Sequence, residues 1–508
     1  MKLSDILSID LPCGGHGFCG RCRVRAIGSL SPVTREEEEK LSPARLKDGF
    51  RLACMAEALG PVTFPDLNLV SDGKSKAVAM AQEADSRPAS GTAAKTASKP
   101  QDTPVVELRT QLFSARTLAS RAVPSELPAS LPAHLGVAVD IGTTTIAAYY
   151  FDLETHKLLA AKGQINPQRL FGFDVISRIE AASRGKSQAL TTLIKSTVSY
   201  LIPRQTERVV LTGNTTMLYL YEGLDPLPLS RAPFTMEHSF GELLTREGRQ
   251  VILPPTFSAY LGADTACALL ASGMSAHPEK TSLLMDIGTN GELVLQHEGK
   301  LYAASAAAGP ALEGGKIASG MPSVPGAISH LDEGWHVETI GKQPVKGYCG
   351  SGLIDLLAVL RKKGLVDVSG RLEESPFSAV LWSTKLPAFT QADIRELQLC
   401  IASIGAAVER LLAISGASKI DHLCLSGGFG SGIDPTSARQ IGLIPASTRL
   451  SALGNAAGAG ASMLLLQPGY LDEMVRIKDR LTVIEIGGDP AFEEAFLRHM
   501  SLMPFEEI

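Results

Sequence analysis

Four cysteines lie near the start of the chain with the spacing C-x5-C-x2-C-x31-C: Cys13, Cys19, Cys22 and Cys54. Three close thiolates on one loop and a fourth far along the chain form the ligand arrangement of plant-type iron–sulfur sites. Glycines surround the first three cysteines, and residues without a Cβ let a short loop turn its NH groups towards cluster sulfurs. The pattern predicts a [2Fe-2S] or [4Fe-4S] cluster on these four cysteines.

Zinc is the alternative metal for this set of four cysteines. Structural zinc sites favour two C-x2-4-C pairs, and Cys54 has no near partner in the sequence. The spacing therefore favours iron and sulfur over zinc. The other four cysteines, Cys267, Cys349, Cys400 and Cys424, stand singly among apolar residues or glycines, which predicts small buried side chains.

The tetrapeptide Asp-Ile-Gly-Thr occurs twice, each time at the end of an apolar run, and defines a first phosphate loop (residues 140–145) and a second phosphate loop (residues 286–292). Such turns offer phosphates small residues for close approach, hydroxyl and NH donors, and a carboxylate for metal-bound water. A G-x-x-x-x-G-K-[ST] motif does not occur. The candidate residues are Asp140, Gly142, Thr143, Thr144 and Thr145 in the first loop and Asp286, Gly288, Thr289, Asn290 and Glu292 in the second.

A third glycine-rich segment, residues 423–432, carries Gly427 and Gly428 after a short apolar strand. Glycines at that place could let an adenosine lie against the backbone. Asp264, which opens a helical pattern, is a weaker candidate for the metal shell, and a role as helix N-cap is the alternative for it.

The elements that must position these residues follow an α/β pattern. Each phosphate loop is followed by a second strand (145–151; 292–296), a polar turn and a third apolar run, so two similar halves should face each other. Helical patterns at 174–182, 352–363 and 392–414 alternate with short strands at 208–211 and 422–425.

Composition limits the class of partner. The chain has 508 residues with 48 basic and 53 acidic side chains, a balance that favours neither nucleic acid nor an anionic membrane surface. We expect no membrane-spanning segment and a cytoplasmic location. The predicted divisions are a cysteine domain (1–70), a flexible Ala- and Ser-rich linker (71–104), an intermediate segment (105–134) and a two-lobed domain (135–508).

The two-lobed domain resembles the actin, sugar kinase and Hsp70 class of ATPases, in which paired phosphate loops and a Gly-Gly adenosine motif occur in this order. The chain as a whole resembles the reductive activators of corrinoid proteins, which place a [2Fe-2S] domain ahead of such an ATPase. The matching stretches are CGGHGFCGRC (13–22), RLAC (51–54), NPQ (166–168), FDVISRI (173–179), GNTTM (213–217), GAD (262–264), AGPALEG (308–314), CGSG (349–352) and DIRELQ (393–398).

The resemblance implies a duplicated actin/Hsp70-like (RNase H-like) ATPase fold behind a small β-grasp [2Fe-2S] domain. That domain could be truncated, because only 12 residues precede Cys13. The implied cofactors are a [2Fe-2S] cluster, ATP and Mg²⁺. The implied partners are a corrinoid protein of a methyltransferase system and an external low-potential electron donor, with a homodimer as one arrangement.

The implied activity is the ATP-dependent return of a corrinoid protein from cobalt(II) to cobalt(I). Asp140 would hold metal-bound water and residues 143–145 the γ-phosphate, while Asp286 would orient the attacking water. Thr289, Asn290 and Glu292 would lie beside Asp286, and Gly427 and Gly428 would back the nucleotide. Three alternatives stay open: an activator of another low-potential metalloenzyme, a metabolite kinase of the same ATPase class with a redox-sensing domain, and a plain electron carrier.

Overall fold

The computed structural model consists of two compact units, residues 1–101 and residues 102–508. It describes residues 2–7, 22–64, 69–71, 78–79, 124, 126–128, 130–172, 174–373, 377–378, 381, 384–427 and 432–507. Cys13, Cys19 and Gly428 lie outside the described residues, as do most of the predicted linker and intermediate segment.

The first unit is small and mixes short helices with two sheets. Strands β1 and β3 pair antiparallel, and β2, β4, β5 and β6 form a four-stranded antiparallel sheet in that order. Because β5 ends at Ser71 and β6 lies beyond it, this sheet extends into the range predicted as linker. Its elements are α1 (Leu3–Leu7), β1 (Arg23–Arg25), β2 (Ile27–Leu30), α2 (Arg35–Lys40), α3 (Pro43–Lys47), β3 (Phe50–Leu52), β4 (Ala58–Phe64), β5 (Leu69–Ser71) and β6 (Val78–Ala79).

The second unit begins with a six-stranded sheet. β7, β8 and β9 form an antiparallel meander, β10 adds parallel to β7, β12 adds parallel to β10, and β11 closes the edge. The elements are β7 (Leu135–Ile141), β8 (Thr145–Asp152), β9 (Leu158–Ile165), α4 (Val175–Ala181), α5 (Ser187–Leu201), β10 (Thr206–Gly213), α6 (Thr215–Glu222), β11 (Glu242–Arg246), β12 (Arg249–Leu253) and α7 (Ala263–Ser272).

A second six-stranded sheet follows, with a three-stranded sheet inserted between its third and fourth strands. The elements are β13 (Ser282–Ile287), β14 (Gly291–His297), β15 (Lys300–Ala306), β16 (Ala327–Leu331), β17 (Val337–Thr339), β18 (Gly347–Tyr348), α8 (Gly350–Lys362), α9 (Gln391–Ser415), β19 (His422–Ser426), α10 (Pro435–Gln440), β20 (Arg449–Gly454), α11 (Ala456–Leu466), α12 (Tyr470–Arg480), β21 (Leu481–Val483) and α13 (Pro490–His499).

The two large sheets repeat one topology. The neighbour order β12-β10-β7-β8-β9 in the first is matched by β20-β19-β13-β14-β15 in the second, with the same parallel and antiparallel pairings. This confirms the predicted duplication and α/β class. The predicted helices at 174–182, 352–363 and 392–414 are also present, with ends that differ by one or two residues.

Two helices lie between the sheets. A single buried cluster joins residues of β7, β8 and β10 in the first sheet, β13, β14 and β15 in the second, and both α7 and α11. Separate apolar clusters cover the outer faces, with α5 and α6 on the first sheet and α8 and α9 on the second. The unit is therefore layered as helix, sheet, paired helices, sheet, helix.

Helix α9 bears on the expectation of no membrane-spanning segment. Within the described residues it is the one helix long and apolar enough to cross a membrane by length and composition. However, 67% of its most apolar window is buried, and its inward residues, among them Ile394, Ile401 and Ile404, belong to the cluster on the second sheet. The apolar character of α9 is thus explained by its place in this core.

Candidate functional site

The first phosphate loop is the turn between β7 and β8. Asp140 lies one residue before the end of β7, and Thr145 begins β8. Gly142 allows the turn to close, because a Cβ there would lie 2.6 Å from the carbonyl oxygen of Thr145. Any other residue at position 142 would therefore force the loop open.

Side chains from three neighbouring segments hold this loop. Asn166 Nδ2 donates to the carbonyl oxygen of Gly142 at 2.9 Å, and Arg178 Nη2 donates to that of Thr143 at 2.5 Å. Asn214 Nδ2 donates to Thr143 Oγ1 at 3.1 Å. The loop conformation is thus fixed by hydrogen bonds from residues outside the loop.

The second phosphate loop joins β13 to β14 in the same way. Asp286 pairs in register with Glu292 across the hairpin, and the NH of Gly288 donates to the carbonyl oxygen of Asn290 at 2.9 Å. The carbonyl oxygen of Thr289 accepts from the NH of Gly309 at 2.8 Å. The two loops therefore have equivalent positions in the two sheets.

The glycine-rich segment meets the second loop at the end of β19. Ser426 Oγ donates to Asp286 Oδ2 at 2.9 Å. Gly427 has φ +95°, and a Cβ there would lie 2.7 Å from the carbonyl oxygen of Ile287. Only glycine fits this contact without strain.

A cavity of about 570 Å³ brings the two loops together. Thr143 and Thr144 line it from the first loop, and Thr289 and Asn290 from the second. The other described candidates in these loops form the turns and strand ends but are not among its lining residues: Asp140, Gly142, Thr145, Asp286, Gly288, Glu292 and Gly427. The remaining walls are Asp174, Val175, Ile176, Ala307, Gly309, Pro310, Glu313, Gly315 and Lys316.

Four half-buried carboxylates gather at the strand and helix ends beside the loops. Burial raises the pKa of Asp140 to about 6, with Asp286 adding to the rise and the hydrogen bond from Asn455 opposing it. Burial also raises the pKa of Asp286 to about 6 and, together with the charges of Asp140 and Asp286, that of Asp264 to about 7. Burial and the charges of Asp264 and Asp286 raise the pKa of Glu292 well above its ordinary value.

This cluster has the donor chemistry that Mg²⁺ takes. Within the described part of the chain, no three His, Cys, Asp or Glu side chains converge closely enough to hold a metal directly. Mg²⁺ keeps several waters and binds through one or two carboxylates plus substrate phosphates, so such convergence is not required. A cation here would also stabilise the ionised carboxylates, whose pKa values are raised chiefly by burial.

In the first unit, two of the four predicted cluster ligands lie side by side. Cys22 and Cys54 are buried, and their Sγ atoms are 3.2 Å apart. The NH of Ala53 donates to the carbonyl oxygen of Cys22 at 2.9 Å, which ties the two segments together. Adjacent sulfurs suit two ligands of one metal centre.

Comparison with known proteins matches both parts of the second unit. Residues 135–277 match the model described as the RACo middle region, and residues 280–507 match the C-terminal domain of RACo, the ASKHA domain. The corrinoid activation enzyme RamQ of Eubacterium limosum is 31% identical over 418 residues, covering 71% of this chain and 69% of the relative. The chain belongs to the family of reductive activators of corrinoid proteins.

Two further relatives agree with this assignment to the activator family. A [Co(II) methylated amine-specific corrinoid protein] reductase of Methanosarcina barkeri is 27% identical over 398 residues, covering 68% of this chain and 73% of the relative. A solved structure described as a reductive activator for corrinoid, iron-sulfur protein superposes with a TM-score of 0.66 at 26% identity, covering 99% of this chain and 95% of that one.

Sequence reasoning about this activator missed Asn455. Its Nδ2 donates to Asp140 Oδ2 at 2.7 Å and to the Tyr149 hydroxyl at 3.2 Å, while its Oδ1 caps α11 through the NH of Gly458. An Asn ahead of a small-residue helix is a visible N-cap signal. However, its partner Asp140 lies 315 residues away, so no local pattern could link the two.

Asp264 lies inside the first turn of α7, and the N-cap is Gly262. The alternative role of Asp264 as the N-cap is therefore wrong. Its Oδ1 accepts from the NH of Thr265 at 2.7 Å. Arg178 and Asn214 lay within motifs that carried the family resemblance, but nothing local indicated their contacts with the first phosphate loop.

Proposed function

We propose that this chain uses ATP to drive electron transfer from a [2Fe-2S] cluster to the cobalt(II) form of a corrinoid protein, regenerating cobalt(I) for methyl transfer. The observation that carries the ATP part is the shared cavity, because Thr143 and Thr144 of the first phosphate loop and Thr289 and Asn290 of the second all line it. The corrinoid part rests on family membership and on what the names of RamQ and the methylated amine-specific reductase state about those proteins.

In this proposal the phosphate loops divide the nucleotide between them. The hydroxyl and NH groups of residues 143–145 bind the γ-phosphate, and those of Thr289 and Asn290 bind the phosphates on the opposite side. Asp140 accepts a hydrogen bond from metal-bound water, and Asp286, held by Ser426, orients the attacking water. Gly427 and Gly428 let the adenosine lie close to the backbone.

The proposed cluster would be held by Cys13, Cys19, Cys22 and Cys54. The side-by-side sulfurs of Cys22 and Cys54 support this ligand set. A bound [2Fe-2S] cluster would supply one electron at about −400 mV if it behaves as plant-type clusters do. An external low-potential electron donor would reduce the cluster again.

Reduction of a corrinoid from such a potential is uphill, so nucleotide must shift an equilibrium. A ligand does this only through different affinities for two states. The cavity suits such a role, because its walls come from both sheets. Closing it around ATP would move these walls relative to each other and so create a second state. A closed state with higher affinity for the cobalt(II) partner would couple ATP binding to electron transfer, and hydrolysis would release the partner. A homodimer is compatible with this scheme.

The decisive experiment reconstitutes the protein without oxygen and mixes it with a cobalt(II) corrinoid protein, ATP and a reductant. We expect the cobalt(I) absorbance to appear only when ATP is present. Formation of cobalt(I) without ATP would contradict the coupling. Phosphorylation of a sugar or organic acid, with no change in cobalt, would favour a metabolite kinase.

The substitution Asp286→Asn tests whether ATP turnover and the cluster depend on separate parts of the chain. It should abolish ATP turnover, because a neutral amide is a weaker hydrogen-bond acceptor for the attacking water than a carboxylate, and it should leave the cluster spectrum unchanged. The matched control is Asp479→Asn on the exposed face of α12, which should leave both unchanged. Equal loss of turnover and cluster in the Asp286 variant would refute a two-module protein.

A further inference from the structure

We propose that Arg178 is a positioning residue that shapes the first phosphate loop for the γ-phosphate and so sets the preference for ATP over ADP. This inference rests on the proposed ATP function and assigns a role to a side chain that does not line the cavity.

Arg178 is a fully buried cation with neutral partners. Its Nε donates to the carbonyl oxygen of Gly172 at 3.0 Å, and its Nη1 contacts Gln168 Oε1 and Met217 Sδ, each at 3.2 Å. Its Nη2 donates to the carbonyl oxygen of Thr143. Among the described side chains, no carboxylate forms an ion pair with it.

A buried charge without an opposite charge is costly, by several kcal/mol. Burial lowers the pKa of Arg178 to about 10, the nearby charge of Asp174 opposes this shift, and the side chain stays protonated at neutral pH. A core position that served packing alone would be more stable with an apolar residue. Arg178 places a positive charge directly behind the first phosphate loop, hydrogen-bonded to Thr143, and this arrangement suits a loop that binds an anion from the cleft.

The contacts of Thr143 show what Arg178 contributes. The carbonyl oxygen of Thr143 accepts a hydrogen bond from Arg178, and Thr143 Oγ1 accepts one from Asn214. Both groups of Thr143 are therefore fixed at the cavity wall. Gln168 continues the chain of contacts, donating through Nε2 to the carbonyl oxygen of Leu190 in α5. The loop is thereby tied to the layer of helices behind the first sheet.

Helix α4 connects Arg178 to the cavity wall as well. Val175 and Ile176, in the first turn of the same helix, line the cavity that Thr143 and Thr144 line. A change at Arg178 would therefore move one wall together with the loop. The second phosphate loop and Gly427 belong to the other sheet and do not depend on these contacts.

The test compares ATP with ADP. Arg178→Lys keeps the charge, but a single ammonium cannot reproduce the planar fork that reaches Thr143 and Gly172 together. We measure Mg²⁺–ATP and Mg²⁺–ADP affinity by titration calorimetry on the full chain. The expected result is a loss of about tenfold or more in ATP affinity, equivalent to roughly 1.4 kcal/mol, with ADP affinity changed less than about twofold.

The matched control is Arg184→Gln, which removes an exposed arginine paired with Glu180 in the turn that follows α4. It should leave both affinities unchanged. Equal losses for ATP and ADP in Arg178→Lys would indicate a merely structural role and overturn the inference, as would an unchanged ratio. A wild-type protein that binds neither nucleotide would overturn the proposed function and this inference together.

If thermal unfolding shows that Arg178→Lys does not fold, Asn214→Ser supplies the same test. Serine keeps the N-cap acceptor for the NH of Met217 but does not reach Thr143 Oγ1, so the loop loses one of its two side-chain restraints at that residue. A selective loss of ATP affinity supports the role of loop positioning. An unchanged ratio of ATP to ADP affinity overturns it.

Discussion

At the scale of single residues, the site is defined by buried carboxylates that repel one another when they are ionised. Asp140, Asp264 and Asp286 all have pKa values raised by burial, to about 6 or 7, and Glu292 is shifted in the same direction. Their mutual repulsion disfavours the folded state when all are ionised. A divalent cation bound beside these carboxylates would offset much of this repulsion, so the cost has a functional explanation.

The pH dependence of stability gives a test. The folded protein holds a proton on Asp264 up to about pH 7, whereas the unfolded chain releases it near pH 4, so this group makes stability fall as pH rises between those values. Asp264→Asn should therefore stabilise the protein without ligands more at pH 8 than at pH 5, by about 1 to 3 kcal/mol.

Chemical denaturation at the two pH values measures this difference. Adding Mg²⁺ and ATP at pH 8 should narrow it, because the cation stabilises the ionised carboxylate of the wild type. Asp479→Asn, on the exposed face of α12, is the control and should show no pH-dependent gain. An Asp264→Asn gain that is the same at both pH values would contradict a raised pKa for Asp264.

At the scale of elements, local sequence patterns predict most of the strands and helices around the site. The Asp-Ile-Gly-Thr turns located β7, β8, β13 and β14, because an apolar run ending in a tight turn needs no distant information. The supports of those turns were not predictable in this way. Arg178 reaches Thr143 across 35 residues and Asn455 reaches Asp140 across 315, so these contacts exist only after the sheets and helices have packed.

An element of the first unit supports the cysteine pair. Glu37 of α2 is fully buried and binds Arg51 at 2.7 Å, and its Oε1 also accepts from the NH of Leu52, two residues before Cys54. Burial alone would raise the pKa of Glu37, but the hydrogen bonds from Arg51 and from backbone NH groups lower it. The pair thus fixes the strand that leads to Cys54, the fourth proposed cluster ligand.

Glu37→Gln should leave the buried Arg51 without a counter-charge and destabilise the first unit by about 3 to 5 kcal/mol. The reconstituted variant should bleach its cluster absorbance faster than the wild type. Glu39→Gln on the same helix removes only an exposed pair with Arg35 and should behave as wild type. Equal bleaching rates in all three proteins would show that α2 does not support the cluster site.

At the scale of the molecule, α7 and α11 form the centre of the two-sheet unit. Both helices lie in the cluster shared by the two sheets, and each begins at the site: Asp264 lies in the first turn of α7, and Asn455 caps α11 beside Asp140. The helices cross at Gly460, where a Cβ would lie 1.9 Å from the carbonyl oxygen of Cys267. Their close contact therefore sets the distance between residues of the site.

Gly460→Ala should push α7 and α11 apart, because the clash is with backbone that cannot rotate away. Overpacking of this kind costs about 1 to 3 kcal/mol, and the shift should also lower the rate of ATP hydrolysis by separating Asp264 from Asn455. Thermal unfolding and ATP turnover measure the two effects.

The matched control is Gly469→Ala, just before α12, where a Cβ would meet nothing within 4 Å and φ is −60°. It should leave stability and turnover unchanged. If Gly460→Ala lowered stability but left turnover as in the wild type, the spacing of these helices would not set the geometry of the site. If Gly460→Ala lowers both stability and turnover and Gly469→Ala lowers neither, the result would support the idea that this helix crossing sets the geometry of the site.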